Sequence, residues 1–233
     1  MRILISQIQW QLLILHRNQL VYISAALTLV YAFIFYLIKD LPNTDRFLVL
    51  LIFNDPAMIG ILFIGLSVIL EKNQSVFYSL IVTPISLHSY LISRIISLSL
   101  IGVLCATGMT VAMLGLKIYW IEFLTGVFAT CTIFSLAGIL IVSYTSDFLV
   151  YLLRSIPVLL FLSLPLLNYF EVTAIAAFDF TPLYSPLQLI EKGISSGLNA
   201  HLGYLNYFLA VGWMVVLYFL VFRLFSKRIK NST

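Results

Sequence analysis

Chemistry in this chain is concentrated in two short polar runs. The first is Asn54-Asp55-Pro56; the second opens at Glu71-Lys72 and closes, after a half-apolar stretch, at Thr83-Pro84-Ile85-Ser86. Asp55 lies within a long apolar stretch, in the half expected to face outward. An acid at such depth is costly and is by default a candidate for substrate or proton contact. The same dipeptide has a structural use, because Asp followed by Pro is the pattern of a helix N-cap and a first-turn proline. On that reading Asp55 and Pro56 begin a helix running to Leu70, and Asp55 faces water in an outer vestibule. The two roles are compatible. Glu71 stands where the apolar stretch ends. There it is either a solvated end charge or the partner of a base: Lys72, Arg94 or a residue of another chain.

The patterns of an enzyme are missing. The sequence has no G-x-x-x-x-G-K-[ST] phosphate loop and no H-E-x-x-H, C-x-x-C or G-x-S-x-G. His16, His88 and His201 fall near the ends of apolar runs on both sides of the membrane and do not converge on one metal. Cys105 and Cys131 lie inside apolar runs, as packed thiols do, rather than as a disulfide or metal pair. Paired acids within the apolar stretches are absent too. The expectation is a chain without catalysis, cofactor or metal of its own.

Composition places these residues in a membrane. Apolar residues make up 62% of the 233 and charged residues 9%, with a mean hydropathy of +1.08. A soluble domain carries roughly 25% charged residues. The net charge of +4 is small and reads as topology, not as affinity for nucleic acid. About six apolar runs approach the ~20 residues that cross a bilayer. The fold class expected is all-α: a single polytopic domain over 1–233 with six spans. They run about Leu20–Ile38, Phe47–Leu70 (broken at Asn54-Asp55-Pro56), Leu87–Leu116, Ile121–Tyr144, Phe148–Leu167 and Leu205–Phe225. No cleavable signal peptide is evident, since His16-Arg17-Asn18 interrupts the first apolar stretch.

Residues 1–18 read as an interfacial helix. One apolar stripe is Leu4, Ile8, Leu12 and Leu15; another is Ile3, Trp10 and Ile14. Polar residues flank both, and Trp10 would sit near the headgroups. With both termini cytosolic, Arg2, Arg17, Lys72, Arg94, Arg154, Arg223, Lys227, Arg228 and Lys230 lie inside, and Lys39, Arg46, Lys117 and Lys192 outside. Nine bases against four obey the positive-inside rule. Arg94 and Arg154 lie within about two turns of the inner face and read as anchors that snorkel to headgroups. Residues 168–203 form the long outer connection, expected to be partly re-entrant. Within it Leu187–Ile194 reads as a short helix, with Ser185 as N-cap and Pro186 at its first position.

Residues 71–86 then face the cytosol as a charged, half-apolar segment ended by Pro84. Val76, Phe77, Leu80 and Ile81 have the i, i+1, i+4, i+5 spacing of one helix face. Such a face fits a groove on a partner, as amphipathic helices do elsewhere.

The run Asn54-Asp55-Pro56, Gly60, Phe63, Gly65, Leu70-Glu71-Lys72, Val82-Thr83-Pro84-Ile85-Ser86, Tyr90-Leu91 and Arg94 resembles the permease subunits of ABC-2 type exporters. It looks most like the short six-span permeases grouped with fluoroquinolone export systems. Ile85 replaces a frequent Leu, Arg94 a frequent Lys, and Ser75 a frequent Gly. The resemblance implies a translocation path built from two permease chains, the same or related. It also implies two separate ATPase subunits, carrying ATP and Mg, docked on the coupling helices. Glu71, Lys72, Val76, Phe77, Leu80, Ile81, Thr83 and Pro84 would then form the ATPase-coupling surface, with Glu71 its main polar contact. Gly60 and Gly65 would permit close helix approach, and Pro56, Pro157 and Pro165 local bends. The setting implied is the cytoplasmic membrane of a prokaryote, with an amphiphilic or apolar cargo. Three other readings stay open: a haem or cytochrome-maturation permease of the same fold, a scaffold or channel with no ATPase, and an intramembrane enzyme. The last is disfavoured by the missing polar cluster.

Overall fold

The computed structural model describes residues 2–17, 19–38, 44–73, 86–116, 118–145, 147–194 and 204–232. Among them every regular element is helical. Helices α1 (Arg2–Arg17) and α2 (Leu20–Ile38) meet at a bend of 68°. Gln19 makes the corner, with a φ of 60°, a left-handed value that few side chains adopt. Helix α1 turns Leu15 and Gln11 inward, with Ile8 and Leu12 partly covered. The first expected stripe is therefore the packed one. Trp10, from the second, is 63% exposed.

Span two contains α3 (Thr44–Met58), a π-helical turn (Ile59–Phe63) and α4 (Ile64–Asn73), which follow one another without a break. This corrects the expected helix start at Asp55-Pro56. Pro56 lies inside α3, where it withholds the N–H that the Ile52 carbonyl would otherwise accept. The wider turn that follows re-spaces the backbone ladder. Tyr151 donates its hydroxyl to the Ile61 carbonyl within that turn. Close approach also explains the glycines here. A Cβ on Gly60 would stand 2.7 Å from the Cys131 carbonyl oxygen, and one on Gly65 2.1 Å from the Tyr151 ring.

Helix α5 (Leu87–Leu114) begins at a side-chain cap, Ser86 Oγ accepting from the Ser89 N–H at 3.2 Å. It ends at Gly115, whose φ is 71°. Helix α6 (Trp120–Ser143) is the centre of the bundle, with Phe123, Val127, Cys131, Phe134 and Ile139 fully buried. Around it pack span two, α5, α9 and α10. The fifth span is α7 (Phe148–Leu162), a turn at Ser163-Leu164, and the short α8 (Pro165–Tyr169). A 3-10 turn (Ala176–Phe180) leads to α9 (Tyr184–Ile194), and α10 (Leu205–Ser232) closes the bundle.

Helix α9 starts three residues before the expected Leu187. Ser185 lies inside its first turn, almost fully buried, and is not the cap that sequence suggested. The helix lies against α6, α3 and α10 rather than over the surface. Gly193 permits this, since a Cβ there would fall 2.7 Å from Cβ and 2.8 Å from Cα of Phe123. Its carbonyl accepts from the Tyr119 N–H at 2.9 Å. On the periphery, α2, α7 and α10 carry exposed Leu29, Phe33, Leu149, Leu153, Phe208 and Phe219. In a bilayer such a surface faces lipid tails, which are as apolar as the side chains themselves.

Candidate functional site

The two helices that flank the expected coupling segment are tied together at its root. Ser67 and Glu71 stand one turn apart on α4, as do Tyr90 and Arg94 on α5, so each helix offers two polar groups on one face. The Arg94 guanidinium grips the Glu71 carboxylate with two bonds, Nη2 to Oε1 at 2.6 Å and Nη1 to Oε2 at 2.7 Å. This is the fork-to-fork arrangement that arginine favours. Tyr90 donates its hydroxyl to Glu71 Oε2 at 2.6 Å and accepts from Arg94 Nη1. Arg94 Nη2 also donates to Ser67 Oγ. The guanidinium carbon lies 5.2 Å from the centre of the Tyr90 ring. Arg94 is buried to 1% exposure and is not the headgroup anchor expected of it. Of the two bases of this chain open to Glu71, the structure selects the one 23 residues away.

Lys72, the next residue, points to a different helix. Its Nζ donates to the carbonyls of Val142 at 2.6 Å and Thr145 at 2.9 Å. These lie at the C-terminal end of α6, where carbonyls lack helical partners and a cation is favoured. Arg154 of α7 donates to the neighbouring Tyr144 carbonyl at 2.8 Å. Glu71 and Lys72 thus both turn back into the bundle. Both Glu71 oxygens are engaged within the chain, by Arg94 and Tyr90. Val76, Phe77, Leu80, Ile81, Thr83 and Pro84 lie outside the described residues.

Asp55 belongs to a second polar cluster, between α2 and α3. It has no exposed surface, so the water-facing vestibule is also corrected. Thr28 Oγ1 lies 3.1 Å from its Oδ2, and the same hydroxyl donates to the Ser24 carbonyl at 2.9 Å. Among the described residues Oδ1 has no hydrogen-bond partner. Beside it Asn54 Nδ2 donates to the Tyr31 hydroxyl at 2.7 Å. Sequence reasoning missed the α2 side of this cluster, because Ser24, Thr28 and Tyr31 are ordinary residues of an apolar span. It also missed a contact at the start of α5: His88 Nδ1 lies 2.8 Å from the Tyr218 hydroxyl, and its ring stacks on Phe222 at 3.6 Å.

Five helical stretches are long and apolar enough to cross a membrane, and the bent α1–α2 pair is the candidate for a sixth. That architecture is an all-α, polytopic integral membrane protein. The chain belongs to the ABC-2 type transporter family, whose profile matches residues 3–199, from α1 through α9. It is accordingly a transport subunit in the membrane, the permease part of an ABC transporter, and the family implies an ABC ATP-binding partner. A search of curated proteins found no match.

Proposed function

We propose that this chain is one of two permeases, identical or related, in an ATP-driven exporter of an amphiphilic or apolar cargo. Two ATPase subunits, each holding ATP and Mg, dock on the 71–86 segments. The observation that carries the reading is the double tie at the segment's root, Glu71 to Arg94 and Lys72 to the end of α6. A loop that only connects two spans has no need of a buried ion pair at its base. In this proposal Glu71 and Lys72 position the segment, and the apolar face of Val76, Phe77, Leu80 and Ile81 makes the contact, with Thr83-Pro84 ending it. A push delivered there passes into span two and α5, whose packing has two arrangements in such switches.

Replacing Phe77 by Ala removes the aromatic anchor, a truncation that costs roughly 2 kcal/mol at a hot spot. The expected result is weaker ATPase copurification and less cargo-stimulated hydrolysis, with the permease's thermal unfolding unchanged. Full binding and stimulation by that variant would refute a docking role for the segment.

The proposed setting is the cytoplasmic membrane of a prokaryote, with both termini and residues 71–86 cytosolic and 168–203 outward. The nine-to-four distribution of bases supports it. Single cysteines at Gln74 and Ser196, in a chain lacking Cys105 and Cys131, test it with an impermeant thiol reagent added outside. Labelling at 196 and not at 74 is expected; the reverse pattern inverts the topology.

A further inference from the structure

Helix α10 stands off the bundle along one side and leaves a groove against α5 and α6. The hollow has a volume of about 290 Å³, and Ile92, Ile96, Phe128, Val211, Val215 and Phe219 are among its walls. The two polar side chains that reach it are occupied elsewhere. Thr132 Oγ1 lies 3.2 Å from Ser99 Oγ, and the Tyr218 hydroxyl meets His88. An apolar hollow without polar partners does not hold ordered water. From Val211 to Phe219 it follows α10 for about 12 Å, at 1.5 Å per residue.

The groove has one apolar end and one charged end. Below Phe219, His88 stacks on Phe222 and bonds to Tyr218, which joins α5 to α10 there. Beyond this joint Arg223 and Lys227 are exposed. They stand about 6 and 12 Å along the helix from Phe219. Among the described residues neither forms an ion pair with an acid.

We propose that this groove is a binding site for an anionic phospholipid. One acyl chain lies between α5, α6 and α10, and the phosphate-bearing headgroup meets Arg223 and Lys227 in the leaflet where α4 ends. The occupant follows from the order of the surfaces. An acyl chain matches the dry part, and a negative headgroup matches the bases at its mouth. A second copy of this chain is a poorer match. A two-fold contact presents the same patch from both sides, and like charges set against each other disfavour association. The site is separate from the Glu71–Arg94 tie and does not depend on the coupling role proposed for it.

Native mass spectrometry of the full chain in detergent tests the site, with phosphatidylglycerol and phosphatidylcholine of matched acyl chains as probes. Each base near a membrane surface is worth about fivefold in affinity for anionic lipid. The wild type should therefore retain phosphatidylglycerol about tenfold or more over phosphatidylcholine. The double change Arg223→Gln, Lys227→Gln should abolish the preference and leave phosphatidylcholine retention unchanged. Val215→Trp should fill the groove and reduce retention of both lipids; Val211→Phe serves if the larger ring prevents folding. Equal retention of the two lipids by the wild type would overturn the proposal. So would a preference that survives loss of both bases, or groove-filling variants that fold and bind lipid as before. A Val215→Trp chain that loses self-association but keeps its lipid would assign the face to a second copy instead.

Discussion

Arg94→Met should destabilise the bundle by about 3–5 kcal/mol, the usual cost of removing one partner from a buried ion pair. The loss comes less from the missing bond than from what stays behind. Glu71, whose side chain is only 12% exposed, would be left with Tyr90 as its sole strong donor. The double change Glu71→Gln, Arg94→Met tests that account. It removes both charges, and the Gln amide oxygen still accepts from Tyr90. Replacement of a buried pair by neutral side chains of similar volume is often neutral or stabilising. The double variant should thus unfold close to the wild-type temperature in detergent, while the single variant unfolds well below it. If the pair is also the root of the coupling segment, the double variant should bind the ATPase yet respond poorly to it. Single and double variants of equal stability would show that the pair is not held as described.

Asp55→Asn should leave thermal stability within about 1 kcal/mol of wild type, because an Asn amide N–H can donate to Thr28 Oγ1 and brings no charge. Transport is expected to fall at least about tenfold, the effect of some 1.4 kcal/mol on a barrier. The argument is one of residue type against need. Thr28 already bonds to the Ser24 carbonyl, so the fold does not require an acid opposite it. An ionised carboxylate without a counter-charge is expensive to bury, and an acid at membrane depth is a functional candidate for that reason. Transport of cargo into sealed vesicles, measured beside thermal unfolding, separates the two effects. Full transport by Asp55→Asn would leave the acid with a packing role only.

The apolar runs announced the bundle, because span length and hydropathy are set by the bilayer and not by neighbours. Helix α6 and its limits were legible to within a residue or so. Asp55-Pro56 misled for a definite reason. A capping pair and a buried acid beside a tolerated proline have the same local sequence. Only the π-helical turn and the polar side chains of α2 tell them apart, and neither has a pattern in the chain. Glu71 had Lys72 and Arg94 within reach on paper; the choice of Arg94 depended on how α4 and α5 lie together. The aim of Lys72 at the end of α6 was invisible, since backbone carbonyls have no letter in a sequence. Helix α1 offered two apolar stripes, and only packing chose the one holding Ile8, Leu12 and Leu15, with Gln11 turned in beside it.

Glu71 and Lys72 are consecutive, so their side chains leave α4 about 100° apart. One grips α5 and the other the end of α6. Two restraints at that angle remove a degree of freedom that a single restraint would leave. Span two cannot spin about its own axis here without breaking one of them. In the proposed exporter, torque delivered by a docked ATPase would then be resisted as a twist of span two alone. The two ties would instead pass it to α5 and α6, so that in this proposal a local force is shared by three helices.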